Sequence, residues 1–295
     1  MTTDLGTVIT AMVTPFTDDL KLDLEKMAEL ADRLIDMGSD GLLVTGTTGE
    51  SPVLTTDEKV ALWETVVKRV RGRVPVMLGT GSNDTADSVA LTKKAQEVGG
   101  DAILLVTPYY NKPPQNALYE HFKTVAEATS LPVMIYNVPG RTSRNIDADT
   151  VIRLANDVPN IVAVKEASGD LDQVSEICRR APAGFDVYSG DDSLTLPMLS
   201  VGAKGIVSVA SHLIAGQMRD MIGSFSQGDW QRARDIHLKY FPVMKGLFFT
   251  TSPAPVKAGL KLMGFPVGNL RLPLMALTEK EEAYLKSILE EADLV

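Results

Sequence analysis

The hydrophobic positions of this chain fall into short, fully apolar runs separated by longer segments that carry a single apolar stripe. The junction between the two kinds of segment recurs. Helical sequence ends in glycine, two polar or small residues follow, and an apolar run begins, as in Met37-Gly38-Ser39-Asp40-Gly41-Leu42-Leu43-Val44. The same order returns in Val98-Gly99-Gly100-Asp101-Ala102-Ile103-Leu104 and in Val201-Gly202-Ala203-Lys204-Gly205-Ile206-Val207. Glycine at that point can adopt the left-handed conformation that caps a helix, and a strand apolar on both faces belongs to a parallel sheet covered on both sides. Between Asp23 and Met37, Leu24, Met27, Ala28, Ala31, Leu34 and Ile35 follow the helical period. Thr55-Thr56-Asp57-Glu58 reads as a capping box opening a helix that buries Val60, Trp63, Val67 and Val70 and closes at Gly72.

Continued along the chain, this pattern predicts strands at Thr7–Pro15, Gly41–Gly46, Val74–Gly81, Ala102–Pro108, Leu131–Pro139, Ile161–Ser168, Phe185–Asp191 and Gly205–Ser211. Helical segments separate them, and a last one is expected from Leu213 to Phe225. Alternating βα units without a break in composition predict an α/β fold, a TIM (β/α)8 barrel over residues 1–228. A doubly wound sheet is the competing topology. Beyond Gly228 the strand signal stops, while Trp230–Gly246, Pro255–Met263 and Thr278–Leu289 read as helices joined by proline-rich turns. Residues 229–295 are therefore expected to form a C-terminal helical extension packed on the barrel.

Charge narrows the choice of partner. The net charge of −9, without a basic run, argues against nucleic acid and requires any anionic substrate to find a local cationic site. One cysteine, Cys178, leaves no intramolecular disulfide, and His121, His212 and His237 are too scattered for a zinc site. Asp191 and Asp192 lack a ligand partner at a helpful spacing, and Gly79-Thr80-Gly81 is too little of a phosphate loop. The segment Met1–Gly6 has no basic n-region, and no apolar run is long enough to span a bilayer, so a cytoplasmic protein without a membrane partner is expected.

A barrel carries its chemistry at the C-terminal tips of its strands. Here those tips read Gly46-Thr47-Thr48-Gly49-Glu50, Thr107-Pro108-Tyr109-Tyr110-Asn111, Tyr136-Asn137-Val138-Pro139-Gly140-Arg141, Lys165-Glu166-Ala167-Ser168 and Ser189-Gly190-Asp191-Asp192. Lys165 follows the apolar run Ile161-Val162-Ala163-Val164, and alternation places it on the face of Ile161 and Ala163. Burial would disfavour its charged form, and a neutral amine can attack a keto group to give an imine, an electron sink for making a carbon nucleophile. The plainer reading is a lysine at a strand end that snorkels to solvent. Tyr136 could shuttle protons beside such an imine or could be a core aromatic. Thr47 and Thr48 offer hydroxyls and amides to a small carboxylate, and Arg141 offers a two-point carboxylate contact; a simple turn and a surface arginine are the alternatives.

Taken together and in order, these tips, with Pro255-Val256-Lys257 in the extension, resemble the dihydrodipicolinate synthase family across the whole chain. The resemblance implies that Lys165 forms a Schiff base with pyruvate. It also implies that Tyr136 transfers protons in a relay through Thr47 to Tyr110, the last supplied by a neighbouring subunit. Thr48 would bind the pyruvate carboxylate, Gly190 and Val207 would line the pocket, and Arg141 would bind L-aspartate 4-semialdehyde at its entrance. It further implies a homotetramer built as a dimer of dimers and no cofactor, because the imine is itself the electron sink. N-acetylneuraminate lyase and keto-deoxy sugar-acid aldolases share the lysine and tyrosine, but the strand-two tip and Arg141 favour the lysine-pathway family. A pyridoxal-phosphate enzyme would need a phosphate cup that the sequence does not offer.

One departure from the family pattern carries a prediction. Lysine-inhibited relatives often place histidines and a glutamate in an effector cleft where this chain has Thr56, Lys59 and Asp87, with Asn83 and Tyr109 kept. Lys59 would set a positive charge beside a cationic effector. Weak or absent inhibition by L-lysine is expected, and an activity titration with L-lysine checks it.

Overall fold

The computed structural model describes residues 4–295, so the first three positions of the Met1–Gly6 segment lie outside the described residues. Its elements in chain order are β1 (Val8–Ala11), α1 (Leu24–Asp36), β2 (Gly41–Val44), α2 (Thr56–Val70), β3 (Val76–Gly79), α3 (Thr85–Val98), β4 (Ala102–Val106) and α4 (Gln115–Ala126). There follow β5 (Val133–Asn137), α5 (Pro139–Thr142), α6 (Ala148–Asp157), β6 (Ile161–Glu166), α7 (Leu171–Arg180), β7 (Asp186–Ser189), α8 (Thr195–Ser200), β8 (Gly205–Ser208) and α9 (Ser211–Ser226). Last come α10 (Trp230–Gly246), α11 (Ala254–Leu262) and α12 (Glu279–Glu291). The strands form one closed parallel barrel in sequence order, β1 pairing β8, which rules out the doubly wound alternative.

Local chemistry explains where the helices begin and end. Thr55 makes both bonds of the capping box with Glu58 at the start of α2, and Thr278 does the same with Glu281 at the start of α12. The recurring glycines Gly38, Gly99 and Gly202 all have the positive φ that the pattern requires (112°, 89° and 110°). In α2 the buried face is Leu62, Trp63, Val66 and Val70; Val60 and Val67 lie at its margin, one step round the helix from the face expected.

Two apolar layers result. Between strands and helices lies the larger core, with Trp63, Phe122, Leu30 and Leu34 among its fully buried members. Inside the barrel a smaller cluster contains Ile9, Leu43, Met77, Leu104, Met134, Ala163, Tyr188 and Val207. α10 and α11 pack on α9, and α12 closes over both.

Two expectations need correction. The strands are shorter at their C-terminal ends than the apolar runs suggested, because the last residues of each run leave the ladder to build the loops of the mouth. In β6, Lys165 shares the inner face with Ala163 but not with Ile161, which packs in the outer core. The register shifts at Val133/Met134, whose partners are Ile161 and Ala163, so Val162 is an extra residue and the alternation changes phase there.

Close strand approach at the barrel's seam gives a stability prediction. A Cβ on Gly205 would stand 2.1 Å from the Thr7 carbonyl oxygen, whereas one on Gly223 in α9 would meet nothing within 4 Å. Gly205→Ala is expected to destabilise the protein by about 3 kcal/mol. Gly223→Ala is expected to be neutral or to stabilise by up to about 1 kcal/mol, since alanine is the better helix former. Urea unfolding midpoints check both.

Candidate active site

At the C-terminal mouth the register aligns Val106, Tyr136, Lys165 and Tyr188 across β4 to β7. Lys165 is therefore one rung from Tyr136, and its Nζ lies over the tyrosine ring, 4.2 Å from the centroid. The residue is 5% exposed. Burial lowers its pKa from 10.5 to about 7, a fall that buried Asp192 resists and Arg141 reinforces. A shift of that size corresponds to a penalty of about 5 kcal/mol on the charged form, more than the face of one aromatic ring returns. Near neutrality a large fraction of Lys165 is a free amine.

Burial acts on Tyr136 in the opposite sense. Its phenol is pushed up to about 12, with Arg141 and the Thr47 side chain pulling it partly back. The phenol thus holds its proton more firmly than usual, beside an amine that burial leaves partly neutral near pH 7. The pair has the form of a nucleophile next to a proton donor.

The stem of Lys165 depends on a missing side chain. A Cβ on Gly190 would lie 3.0 Å from Lys165 Cε, 3.2 Å from its Cγ and 2.7 Å from the Ala167 Cβ. The Gly190 amide is held by the Glu166 carbonyl at 2.8 Å. Glu166 points outward from the barrel, where Asn137, Gln173 and the Ser168 amide donate to its carboxylate. The tip of β7 is fixed by a second buried acid. Asp192, pushed up to about 6 by burial, accepts from Ser208 Oγ and from the amides of Val209 and Ala210.

The tip of β2 is a tight turn. The Gly49 and Glu50 amides donate to Gly46 and Thr47 carbonyls at 3.1 Å, and Thr14 Oγ1 donates to the Gly49 carbonyl at 2.6 Å. Thr45 adopts φ 57° and accepts from Trp63 Nε1 at 2.8 Å, which ties the start of the turn to α2. Thr48 is buried within this turn, 6% exposed.

A pocket of about 270 Å³ opens beside these tips, with Thr47, Tyr136, Arg141, Tyr109, Val138 and Ser51 in its wall. Of the residues singled out in the sequence, Thr47, Tyr136 and Arg141 line it directly. Lys165 is not part of that wall and meets it through the Tyr136 ring; Thr48, Gly190 and Val207 also lie outside it. Val207 is in the barrel's inner cluster, 1% exposed. Tyr110, with φ 72°, is 88% exposed and lines no part of the pocket.

This site can be set beside those of known proteins. The family model described as the Dihydrodipicolinate synthetase family matches residues 4–292. The chain belongs to this family. It is 56% identical over 283 residues to 4-hydroxy-tetrahydrodipicolinate synthase 1 of Halalkalibacterium halodurans, covering 96% of each chain. The crystal structure of a dihydrodipicolinate synthase from Bacillus anthracis superposes with a TM-score of 0.95 at 53% identity, over 97% of this chain and 98% of that one. The enzyme from Cyanidioschyzon merolae, solved with lysine bound, gives 0.97 at 45% identity, over 99% of both.

Within this family member, two buried charges behind the β2 tip had been named in the sequence only as members of motifs, without a role. Glu50 and Lys257 form an ion pair of 2.7 Å with side chains 0% and 3% exposed. The signal was present: an acid directly after Gly49, and a lysine among Pro255, Val256 and Leu260 on a buried helix face. What was missing was any reason to bring α11 to β2.

Gly190→Ala is expected to push the Lys165 stem aside and to cut pyruvate-dependent turnover by about 10²-fold, since misplacement of a reacting group by an ångström costs that much. Steady-state kinetics, with circular dichroism to confirm folding, measure it. Retention of full turnover would mean that Lys165 need not sit where it does.

Proposed function

We propose that the chain is a 4-hydroxy-tetrahydrodipicolinate synthase, a lyase that condenses pyruvate with L-aspartate 4-semialdehyde through a Schiff base on Lys165, in the diaminopimelate route to lysine. The observation that carries this reading is the buried Lys165 amine, its pKa near 7, packed on Tyr136 at the barrel mouth in a member of this family.

The chemistry runs from the neutral amine. Lys165 Nζ attacks C2 of pyruvate to give a carbinolamine, the Tyr136 phenol protonates the departing hydroxyl, and water leaves. The resulting iminium draws electrons from C3, which loses a proton toward Tyr136 and becomes an enamine carbon. That carbon attacks the aldehyde of the semialdehyde, whose oxygen is protonated in turn. The new chain's amino group then adds to C2 and expels Lys165, closing the ring and freeing the enzyme, with one water released overall. No external electron sink enters the balance, so the reading assigns no cofactor.

Both substrates are carboxylates in a protein of net charge −9, and the site meets them locally. Thr48 and the amides of its turn would receive the pyruvate carboxylate; Arg141 at the pocket wall would receive that of the semialdehyde. Gly190 and Val207 would shape the floor. Thr47 would pass protons from Tyr136 toward Tyr110. Because Tyr110 is 88% exposed in the single chain, the relay needs that tyrosine from a second copy, in keeping with a dimer of dimers. On this reading residues 1–228 carry the chemistry and 229–295 support it. Among the described residues no helix is long and apolar enough to cross a membrane, and a cytoplasmic site of action fits the metabolites involved.

Borohydride trapping tests the reading. Reduction in the presence of pyruvate should add the pyruvyl group to Lys165, found by peptide mass mapping. A lysine amine is nucleophilic only when neutral, so the rate of trapping should rise from acid pH through about 7 and then level off, instead of climbing toward the 10.5 of an exposed lysine. In coupled assays Tyr110→Phe should lower turnover with the fold intact. Modification of other lysines with Lys165 untouched would end the proposal.

A further inference from the structure

Glu50 closes the β2 tip with φ 57°, its carboxylate buried. Oε1 faces Lys257 Nζ from α11, and Oε2 accepts the Arg271 amide at 3.0 Å. Lys257 also donates to the Asn269 carbonyl at 2.8 Å. Arg271 clamps the far side of the same loop. Its guanidinium reaches Glu58 at 2.6 Å and donates to the Val53 and Leu20 carbonyls at 3.1 and 2.8 Å. Both cations lie against the Phe16 ring, 4.6 and 4.5 Å from its centroid, and the Phe16 amide donates to the Val267 carbonyl at 3.1 Å. The turn holding Thr47 and Thr48 is thus gripped at its C-terminal end by groups from the extension.

An apolar pair would hold two surfaces together at least as cheaply. Burying an ion pair costs several kcal/mol per ion, and its return is one defined geometry. Van der Waals contacts let a loop slide; a carboxylate held by an ion pair at one oxygen and a hydrogen bond at the other does not. We propose that Lys257 and Arg271 are positioning residues: Lys257 acts through Glu50, and Arg271 through its amide on Glu50 and its guanidinium on the Val53 carbonyl and Glu58, together setting the β2 tip so that Thr48 meets the keto-acid carboxylate and Thr47 meets Tyr136. The extension is in this sense part of the active site. The inference rests on the function proposed above.

Lys257→Met alone would strand a buried carboxylate and unfold the protein for uninformative reasons. The double variant Glu50→Gln/Lys257→Met keeps the volume and removes both charges, and Lys261→Met serves as control because it breaks only the exposed Lys261–Glu282 contact of the same extension. The readout is the pyruvate concentration for half-maximal borohydride trapping on Lys165, alongside thermal unfolding. The double variant should melt near the parent and still be trapped at saturating pyruvate, but require about tenfold more pyruvate, the loss expected for one misaligned charge-assisted hydrogen bond. Lys261→Met should match the parent. An unchanged requirement in the folded double variant overturns the proposal. Arg271→Ala keeps the amide on Glu50 but removes the guanidinium from Val53 and Glu58, and it keeps the test open should the double variant not fold: the same rise supports the proposal and no rise overturns it. Failure of the parent itself to be trapped at Lys165 would overturn the proposed function instead.

Discussion

The exclusion of water from one amine is the constraint around which the mouth of this barrel is built. A lysine at a strand tip would normally extend into solvent and stay charged. Here Tyr136 covers it from the neighbouring strand, Gly190 leaves room for its stem, and the apolar floor of Met134, Ala163 and Val207 lies beneath. Each feature raises the cost of the charge. Asp192 works against them and keeps the amine from becoming a still weaker base. On the function proposed for this site, a pKa near 7 is the compromise between a nucleophile that must be neutral and an intermediate that must be cationic.

That compromise fixes the surroundings. The same dry environment raises the Tyr136 phenol, so one act of burial shifts the two groups in opposite directions: the phenol holds its proton more firmly and the amine less so. Register then makes the pair adjacent: Tyr136 and Lys165 are direct partners across β5 and β6. The extra residue at Val162 is what turns Lys165 inward. Strict two-residue alternation from Ile161 on the outer face, with Val162 counted in the ladder, would carry Lys165 outward into the helical layer.

Much of this was legible in the sequence, for identifiable reasons. Apolar runs behind Gly38, Gly99 and Gly202 announced β2, β4 and β8 because a left-handed cap and a two-face-buried strand are both local properties. Strand tips were legible once the barrel was inferred, since the fold dictates where chemistry lies. Two things were not. A bulge depends on how a strand fits its neighbour, and nothing in Ile161–Glu166 read alone reveals it. The Glu50–Lys257 pair joins residues far apart in the chain, and Lys257 read locally is one polar residue on a buried helix face.

The distribution of buried charge shows how the molecule separates stability from function. Among the described residues the buried acids and lysines are Glu50, Lys165, Glu166, Asp192 and Lys257. The first four stand at the tips of β2, β6 and β7, and the fifth reaches across from α11 to the β2 tip. The opposite end of the barrel uses ion pairs too, such as Asp32 with Arg69 and Arg73, but with arginines 52% and 42% exposed. Exposed pairs contribute little, and cost little when lost. Buried charges are costly, and a fold assembled for stability alone would spread or omit them. Their confinement to one rim places the desolvation penalty at the end of the barrel where the candidate site lies, while the apolar layers behind it supply the stability that makes the penalty bearable.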